Sequence, residues 1–446
     1  MEIIIIGAGD IGYQSARRFS KEKHNIALIE SNEALANFAS DNLDAFVITG
    51  NGCSTSILKE AGVEKADVLA ALTDNDEVNI LACKIAKKYG VKTTIARIRN
   101  PEYLVEDHII SKEEFGVDHF LQPEKETADT IVRLIRQSNA TDIIEFEGGK
   151  LKFFGLRLDS SSSLLHKKLM DLSIELDNPP LTVTAIKRGQ HTIVPKGSDI
   201  LLPGDQIYMV CAPYYQETAL EYLGKSKKQI ENILIIGGGL TATFVAMELD
   251  GEINMKIIES DEKKALAIAE KLNKSLVIHG DGSNLDLLMS ENLDSMDQFI
   301  AITGDDETNI ITSIVAQHIG VKRTVSLIKK SEYLPLTPAL NLDAVVSKQQ
   351  ITVNAITRLI KGGGIAKFAE LPGLDAEIVE FVVKEKSKIT RKPIMHLKIP
   401  KGSVLGAILR DDELIIPKGN TQIIAGDKVV VFSLPDSFPS VESLFE

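Results

Sequence analysis

The 446-residue chain has no tryptophan, three cysteines and only 5% aromatic residues. Cys53, Cys83 and Cys211 are too few and too far apart for a disulfide framework or a Cys-x-x-Cys zinc site, which fits a reducing cytoplasm. An excess of basic charge is lacking as well: 63 acidic residues outnumber 50 basic ones, for a net charge of −13. Nucleic-acid phosphates repel such a chain, so no nucleic-acid partner is expected. No apolar run approaches the roughly 18–20 residues of a membrane span. Met1-Glu2-Ile3 enters an apolar strand directly, without the charged region and long apolar stretch of a signal peptide. HExxH, GxSxG and P-loop motifs are missing, and the eight histidines are scattered, His108 and His119 included. The acidic run Asp74–Glu77 lacks the glycine and distal glutamate of an EF-hand, and acidic residues favour a helix start without any metal. Neither a catalytic constellation nor a metal site is expected.

What is present is a 44% apolar composition drawn from Ile, Leu, Val and Ala, and one pattern written twice. Ile3-Ile-Ile-Ile-Gly-Ala-Gly-Asp-Ile-Gly12 is answered 230 residues later by Ile233-Leu-Ile-Ile-Gly-Gly-Gly-Leu-Thr-Ala242. In each copy an apolar run leads into a glycine-rich turn and then a helical pattern. The next apolar run closes on an acid, Glu30 in Ile26–Glu30 and Glu259 in Lys256–Glu259. This is the dinucleotide-binding fingerprint in its required strand–turn–helix context. The repeat runs on: Val47–Ile98 and Val277–Ile328 share 18 of 52 residues, a duplication on the scale of a domain rather than a solenoid period.

Within each copy, short β-branched runs (Ile3–Ile6, Ile26–Ile29, Ala45–Ile48, Val68–Leu72, Thr93–Ile98) alternate with helical stretches such as Asn32–Asn42 and Asn79–Tyr89. That alternation predicts an α/β fold with a doubly wound parallel sheet. Each copy ends on a similar helix, Thr130–Ile135 and Ala355–Ile360. The texture then becomes strand-like with turn signals over about 148–222 and 374–446. Ile193-Val-Pro-Lys-Gly197 and Pro203-Gly-Asp-Gln-Ile207 in the first stretch answer Ile415-Ile-Pro-Lys-Gly419 and Ala425-Gly-Asp-Lys-Val429 in the second. We expect four domains in the order A–B–A′–B′: a Rossmann domain over 1–145, a small α+β module over 146–224, a second Rossmann domain over 230–370 and a second module over 371–446. A hinge is expected at Gly224–Gln229.

The fingerprint assigns roles by position. Gly7 permits the tight turn, Gly9 lets the backbone approach a pyrophosphate, and Gly12 lets the helix pack close to the strand. Ala8, Asp10 and Ile11 complete this first loop, whose helix N-terminus offers free N–H groups to phosphate. Glu30, 23 positions beyond Gly7, suits the ribose hydroxyls of NAD better than NADP, and suits ATP, ADP or AMP equally. Asn51, after the third strand, either bonds an adenine edge or makes a turn. Thr73 and Asp74 follow the fourth strand at the ligand-binding edge, and Arg97 ends the fifth, either as a phosphate contact or in a salt bridge. The second copy offers Gly237, Gly238, Gly239, Leu240, Thr241, Glu259, Asp281 and Thr303. It carries Ala242, Gly304 and Leu327 where the first has Gly12, Asp74 and Arg97, so its affinity or ligand choice should differ.

With the paired glycine loops, the paired Thr-x-x-Asp-Glu-x-Asn segments (Thr73–Asn79, Thr303–Asn309), the Pro-Lys-Gly…Gly-Asp pattern of both modules and Ala96-Arg-Ile-Arg-Asn-Pro-Glu-Tyr103, the whole chain resembles the TrkA family. These are cytosolic regulatory subunits of bacterial and archaeal Trk potassium transporters, built of two RCK (KTN) units in tandem. The resemblance implies NAD(H) binding with ATP or ADP as further ligands, and a homo-oligomeric, tetrameric ring of RCK domains. It also implies a TrkH- or TrkG-like membrane subunit as partner, and a place at the inner face of the plasma membrane through that partner. By the same resemblance Gly7 to Ile11, Glu30, Thr73, Asp74 and Arg97 are contacts of the first site, and Gly237 to Thr241 with Glu259 those of the second. The function expected is therefore a non-enzymatic, nucleotide-responsive regulator. An NAD-dependent oxidoreductase, a regulator of another transporter, and modules that bind a separate effector are the rival readings.

Overall fold

The computed structural model describes every residue except 105–111, 138–139, 161, 172–178, 190, 223–229, 338, 362–364, 372–373, 375 and 412. The expected hinge at Gly224–Gln229 and His108 lie outside the described residues.

Strand β1 (Glu2–Ile6) is apolar on both faces, as a strand covered by helices on either side must be. It pairs in parallel with β2 (Asn25–Glu30) and, across the sheet, with β4 (Val68–Ala71). With β3 (Phe46–Thr49), β5 (Thr93–Arg97) and β6 (His119–Leu121) these form a parallel sheet in the order β3-β2-β1-β4-β5-β6. The order reverses between β1 and β4, which opens a crevice at the carboxyl edge, where ligands bind in such sheets. Helix Asp76–Lys88 starts three residues before the expected Asn79, because the Asn75 side chain accepts the Val78 N–H at 2.7 Å and caps it.

Sheet β7 (Asp142–Phe146), β8 (Leu151–Arg157), β9 (Leu181–Arg188), β10 (His191–Ile193) and β11 (Gln206–Cys211) is antiparallel, in the order β10-β9-β11-β8-β7. Strands β12 (Asn232–Ile236), β13 (Asn254–Glu259), β14 (Leu276–His279), β15 (Gln298–Ala301), β16 (Thr324–Leu327) and β17 (Ala344–Val346) repeat the first parallel sheet, as β14-β13-β12-β15-β16-β17. Strands β18 (Ile365–Glu370), β19 (Glu377–Val382), β20 (Ser403–Arg410), β21 (Glu413–Ile415) and β22 (Lys428–Ser433) form a second antiparallel sheet, β18-β19-β22-β20-β21. The repeated Gly-Asp turns have one physical job in both modules. Gly204 and Gly426 take positive φ, and the next residue, Asp205 or Asp427, receives a two-pronged guanidinium from Arg188 or Arg410, each at 2.8 Å.

Contacts divide the chain into two compact units that do not follow chain order. Met1–Glu126 pairs with residues 348–362, and 127–347 with 363–446. In the first unit, helix Lys348–Lys361 buries Ala355, Ile356 and Ile360 in one core with Ile3, Ile5 and Phe19. In the second unit, the end of helix Pro123–Arg136 lies against the second parallel sheet. The Gln298 Nε2 donates to the Ile135 carbonyl at 3.2 Å, and Arg136 pairs with Glu252 at 3.0 Å. Each parallel sheet is thus covered in part by a helix that belongs, in sequence, to the other half.

Candidate nucleotide-binding site

The first glycine loop has the geometry its residues dictate. Gly7 adopts φ +97°, a conformation a side chain would strain, and its N–H donates to the Ile29 carbonyl at 2.8 Å. A Cβ at Gly12 would sit 1.9 Å from the Gly7 oxygen, so the helix rests directly on the turn. Gly9 faces open space: nothing lies within 4 Å of its missing Cβ. Gly9 is also the N-cap of helix Asp10–Lys21 and makes no side-chain cap. Gly237, at φ +98°, and Gly239, the open and uncapped start of helix Leu240–Leu249, repeat this in the second copy. By contrast Asn32, Asn75, Asp261 and Asp305 cap the helices that follow β2, β4, β13 and β15. The helix N-termini on the glycine loops keep amides free for an anion.

The strand-end acids hold the loops. Glu30, 9% exposed, accepts from the Ala8 N–H at 2.5 Å and the Asn32 N–H at 2.8 Å. Glu259 accepts from the Gly238 N–H and, at 2.8 Å, from the Asp261 N–H. Ala8, Ile11 and Thr241 are buried, whereas Asp10 is exposed at the helix start where Leu240 is uncharged. Asn51 and Asp281 make turns: their side chains accept from the N–H of Cys53 and Ser283, each at 2.8 Å.

The Thr-x-x-Asp-Glu-x-Asn segments are clamps of the sheet edge. Buried Asn79 accepts from Thr73 Oγ1 at 2.7 Å and donates to the Arg97 carbonyl at 2.8 Å, tying the ends of β4 and β5. Asn309 does the same with Thr303 Oγ1, at 2.8 Å, and the Leu327 carbonyl, at 2.9 Å. Asp76 and Asp306 accept the backbone N–H groups that follow β5 and β16.

The two copies part at the charged positions. Arg97, almost buried, donates to exposed Asp74 at 2.7 Å and to buried Glu124 at 3.3 Å. Lys348, from the second half of the chain, reaches the same Glu124 oxygen at 3.2 Å. Burial pushes the Glu124 carboxyl up, but the charges of Lys348 and Arg97 outweigh it and hold the group below its ordinary range. Arg97 thus makes ion pairs at this edge of the sheet. Glu124 and Lys348 escaped the sequence reading, since no local spacing links positions 224 residues apart. In the second copy Leu327 is apolar and buried, yet a cation is present nearby: Lys329 Nζ donates to the Gly304 carbonyl at 2.7 Å. Among the described residues no group of His, Cys, Asp and Glu is arranged to hold a metal ion, and no helix is long and apolar enough to cross a membrane.

Comparison with known proteins agrees with this duplicated plan. The TrkA-N domain model matches residues 3–123 and 233–348, and the TrkA-C domain model matches 153–224 and 378–446. The chain is 35% identical over 455 residues to Trk system potassium uptake protein TrkA homolog 1 of Methanosarcina mazei, covering 100% of both chains. It is 32% identical to the Haemophilus influenzae Trk system potassium uptake protein TrkA, covering 100% of this chain and 99% of that one. The solved GsuK RCK domain superposes with a TM-score of 0.63 at 19% identity, covering 100% of this chain and 94% of that one. The GsuK channel bound to NAD does so at 0.62 and 17%, covering 100% and 78%. Two glycine-loop Rossmann domains, each followed by a small antiparallel module and matched over the full length, make this chain a member of the TrkA family, a tandem RCK (KTN) protein.

Proposed function

We propose that the chain is the nucleotide-responsive regulatory subunit of a Trk-type potassium transporter. The observation that carries this reading is the pair of uncapped, open glycine-loop helix starts in a chain that caps its neighbouring helices. NAD(H), or ATP and ADP, binds with its phosphates on the amides of Gly9 to Ile11 and its ribose hydroxyls on Glu30. Gly239 to Thr241 and Glu259 do the same in the second cleft. A solved relative by fold is described as bound to NAD and another as bound to ADP, which supports this ligand class.

The response follows from Glu124. Its carboxylate is shared between Arg97 on the edge of the first cleft and Lys348 on the helix supplied by the second half. A phosphate that attracts Arg97 weakens the hold on Glu124 and so changes the seating of that helix. A ligand shifts such a balance only by its differential affinity for the two arrangements. The partner is a TrkH- or TrkG-like subunit, met at the inner face of the plasma membrane by a tetrameric ring of chains.

Calorimetric titration of the full-length protein with NAD⁺, NADH, ATP and ADP tests the binding, and potassium uptake by cells deleted for the gene tests the role. Absence of binding by all four nucleotides, or normal uptake at low external potassium with no redundant system, overturns the proposal.

A further inference from the structure

The second unit holds a cavity of about 220 Å³ outside both glycine-loop clefts. On one side it is walled by the first antiparallel sheet, through Asp142, Arg157 and Lys187, and on the other by Leu342, Asp343 and Val345 of the β17 edge of the second parallel sheet. Cavities that enclose drug-sized ligands run to about 300–1,000 Å³, whereas about 150 Å³ accepts a benzene-sized one. A dinucleotide is excluded by size, and a small ion with a few waters fits.

The charges in the wall are unevenly satisfied. Asp142 Oδ2 accepts from Thr141 Oγ1 at 2.8 Å and Gln206 Nε2 at 2.9 Å. Asp343 Oδ2 accepts from the Thr324 N–H and from Gln317 Nε2, both at 2.9 Å. Both acids take these hydrogen bonds from neutral donors, while the charges of Lys187 and Arg323 act on Asp142, and that of Arg323 on Asp343, without a direct bond among these contacts. Arg157 donates to a neutral acceptor, Asn341 Oδ1, at 2.9 Å. Lys187 is 5% exposed, and its ammonium makes no hydrogen bond or ion pair among the described residues. Behind the wall, buried Arg323 donates to the Ala140 carbonyl. Three cations thus face two carboxylates, and among the described residues neither cation in the wall makes a direct ion pair, the charge of Asp142 acting on Lys187 at longer range. Burial pushes the Asp142 carboxyl up to about 6, which thins the negative charge further below that pH. A mostly buried lysine whose ammonium has only the charge of Asp142 opposite it, and no hydrogen-bond partner among the described residues, is costly, and an anion in contact with it relieves that cost.

We propose that this cavity is a binding site for a small oxyanion, a phosphate or a carboxylate, held by Lys187 with Arg157. It is separate from the nucleotide clefts and lies where the first module meets the second Rossmann domain, so its occupant clamps those two parts together.

The test is thermal unfolding of the full-length protein in sodium phosphate, sodium acetate or sodium chloride at matched ionic strength. Phosphate also visits glycine loops, so the series is repeated on the Gly9→Val/Gly239→Val double variant. The expected result is a saturable rise in melting temperature with phosphate or acetate, relative to chloride, in both proteins. The oxyanion that acts alone, or at lower concentration, identifies the ligand class. Lys187→Met, which keeps the apolar stem, should weaken the effect at least tenfold, and Arg157→Gln, at the rim, should weaken it less. Loss of the effect in the glycine-loop variant, or an undiminished effect in both Lys187→Met and Arg157→Gln, overturns the proposal.

Discussion

At the first cleft Arg97 lies between Asp74 and Glu124, and Lys348 stands on the other side of Glu124. At an offset of 230, the matches of Asp74 and Arg97 are Gly304 and Leu327. Counted from the helix starts at Pro123 and Lys348, Glu124 matches Gln349, and Lys348 matches Pro123. All four charges of one copy are uncharged in the other, while the clamp of Thr73 and Asn79 is kept as Thr303 and Asn309. A buried ion group is costly to break one member at a time, because each loss strands the remaining charge. Arg97, Glu124 and Lys348 form a largely buried ion group with exposed Asp74 at its rim, and the matched positions of the other half carry no charge. The shared residues build the cleft, and the differing ones set the charge at its edge.

The largest effect should come from breaking that group at one point. Arg97→Leu, the second copy's residue, leaves Glu124 with Lys348 alone and should cost about 3 kcal/mol of stability in denaturant unfolding. Adding Glu124→Gln should recover part of the loss. If the two costs simply add, the members of the group are not coupled.

Binding separates the two clefts next. Gly9→Val and Gly239→Val each fill the open space over one loop and should lower affinity at that site at least a hundredfold, about 2.7 kcal/mol, with the fold retained. The variants read one site each in the intact chain. Calorimetry that still counts two sites in either variant shows the loop to be structural only.

A smaller change probes the strand-end acids. Glu30→Ala and Glu259→Ala should each weaken nucleotide binding by about 1–3 kcal/mol, the cost of a lost charged hydrogen-bond acceptor. Titration curves unchanged from the parent would assign these carboxylates to holding the loop amides and nothing more.

The smallest effect is a difference in acid sensitivity. The Glu124 carboxyl is held below its ordinary range in the folded state. Its contribution is therefore complete above the unfolded value near 4.5 and is lost as pH falls through the lower, folded value. Unfolding curves taken between pH 5 and pH 3 should fall more steeply for the parent than for an Arg97→Leu/Glu124→Gln variant. Parallel curves would remove the cluster from the account of stability.

How much could be read from the sequence depends on how local each feature is. The parallel sheets, the glycine loops, and Glu30 and Glu259 are set by contiguous residues, and apolar runs with glycine spacing report them directly. The Thr73–Asn79 segment was visible as a repeat but its work was not: its side chains close on the sheet edge. The Gly-Asp turns were legible as turns, though not as anchors for Arg188 and Arg410, whose partners lie 17 residues away in sequence. Lys348 could not be found at all, because its link to Glu124 depends on tertiary placement across most of the chain. The second copy's Lys329 was missed for a related reason. Comparison with Arg97 directed attention to position 327, while the cation comes from two residues further on.

The exchange of helices between the halves also sets a timetable for synthesis. Glu124 precedes Lys348 by 224 residues, and ribosomes add about 5–20 residues per second, so the first sheet waits on the order of 10–45 s for its last covering helix. During that interval the apolar surface that Ala355, Ile356 and Ile360 later cover, beside Ile3, Ile5 and Phe19, stands open on the nascent chain. A truncated product released in that interval carries a sheet it cannot finish, which makes it a substrate for chaperones and proteases rather than a free regulatory half.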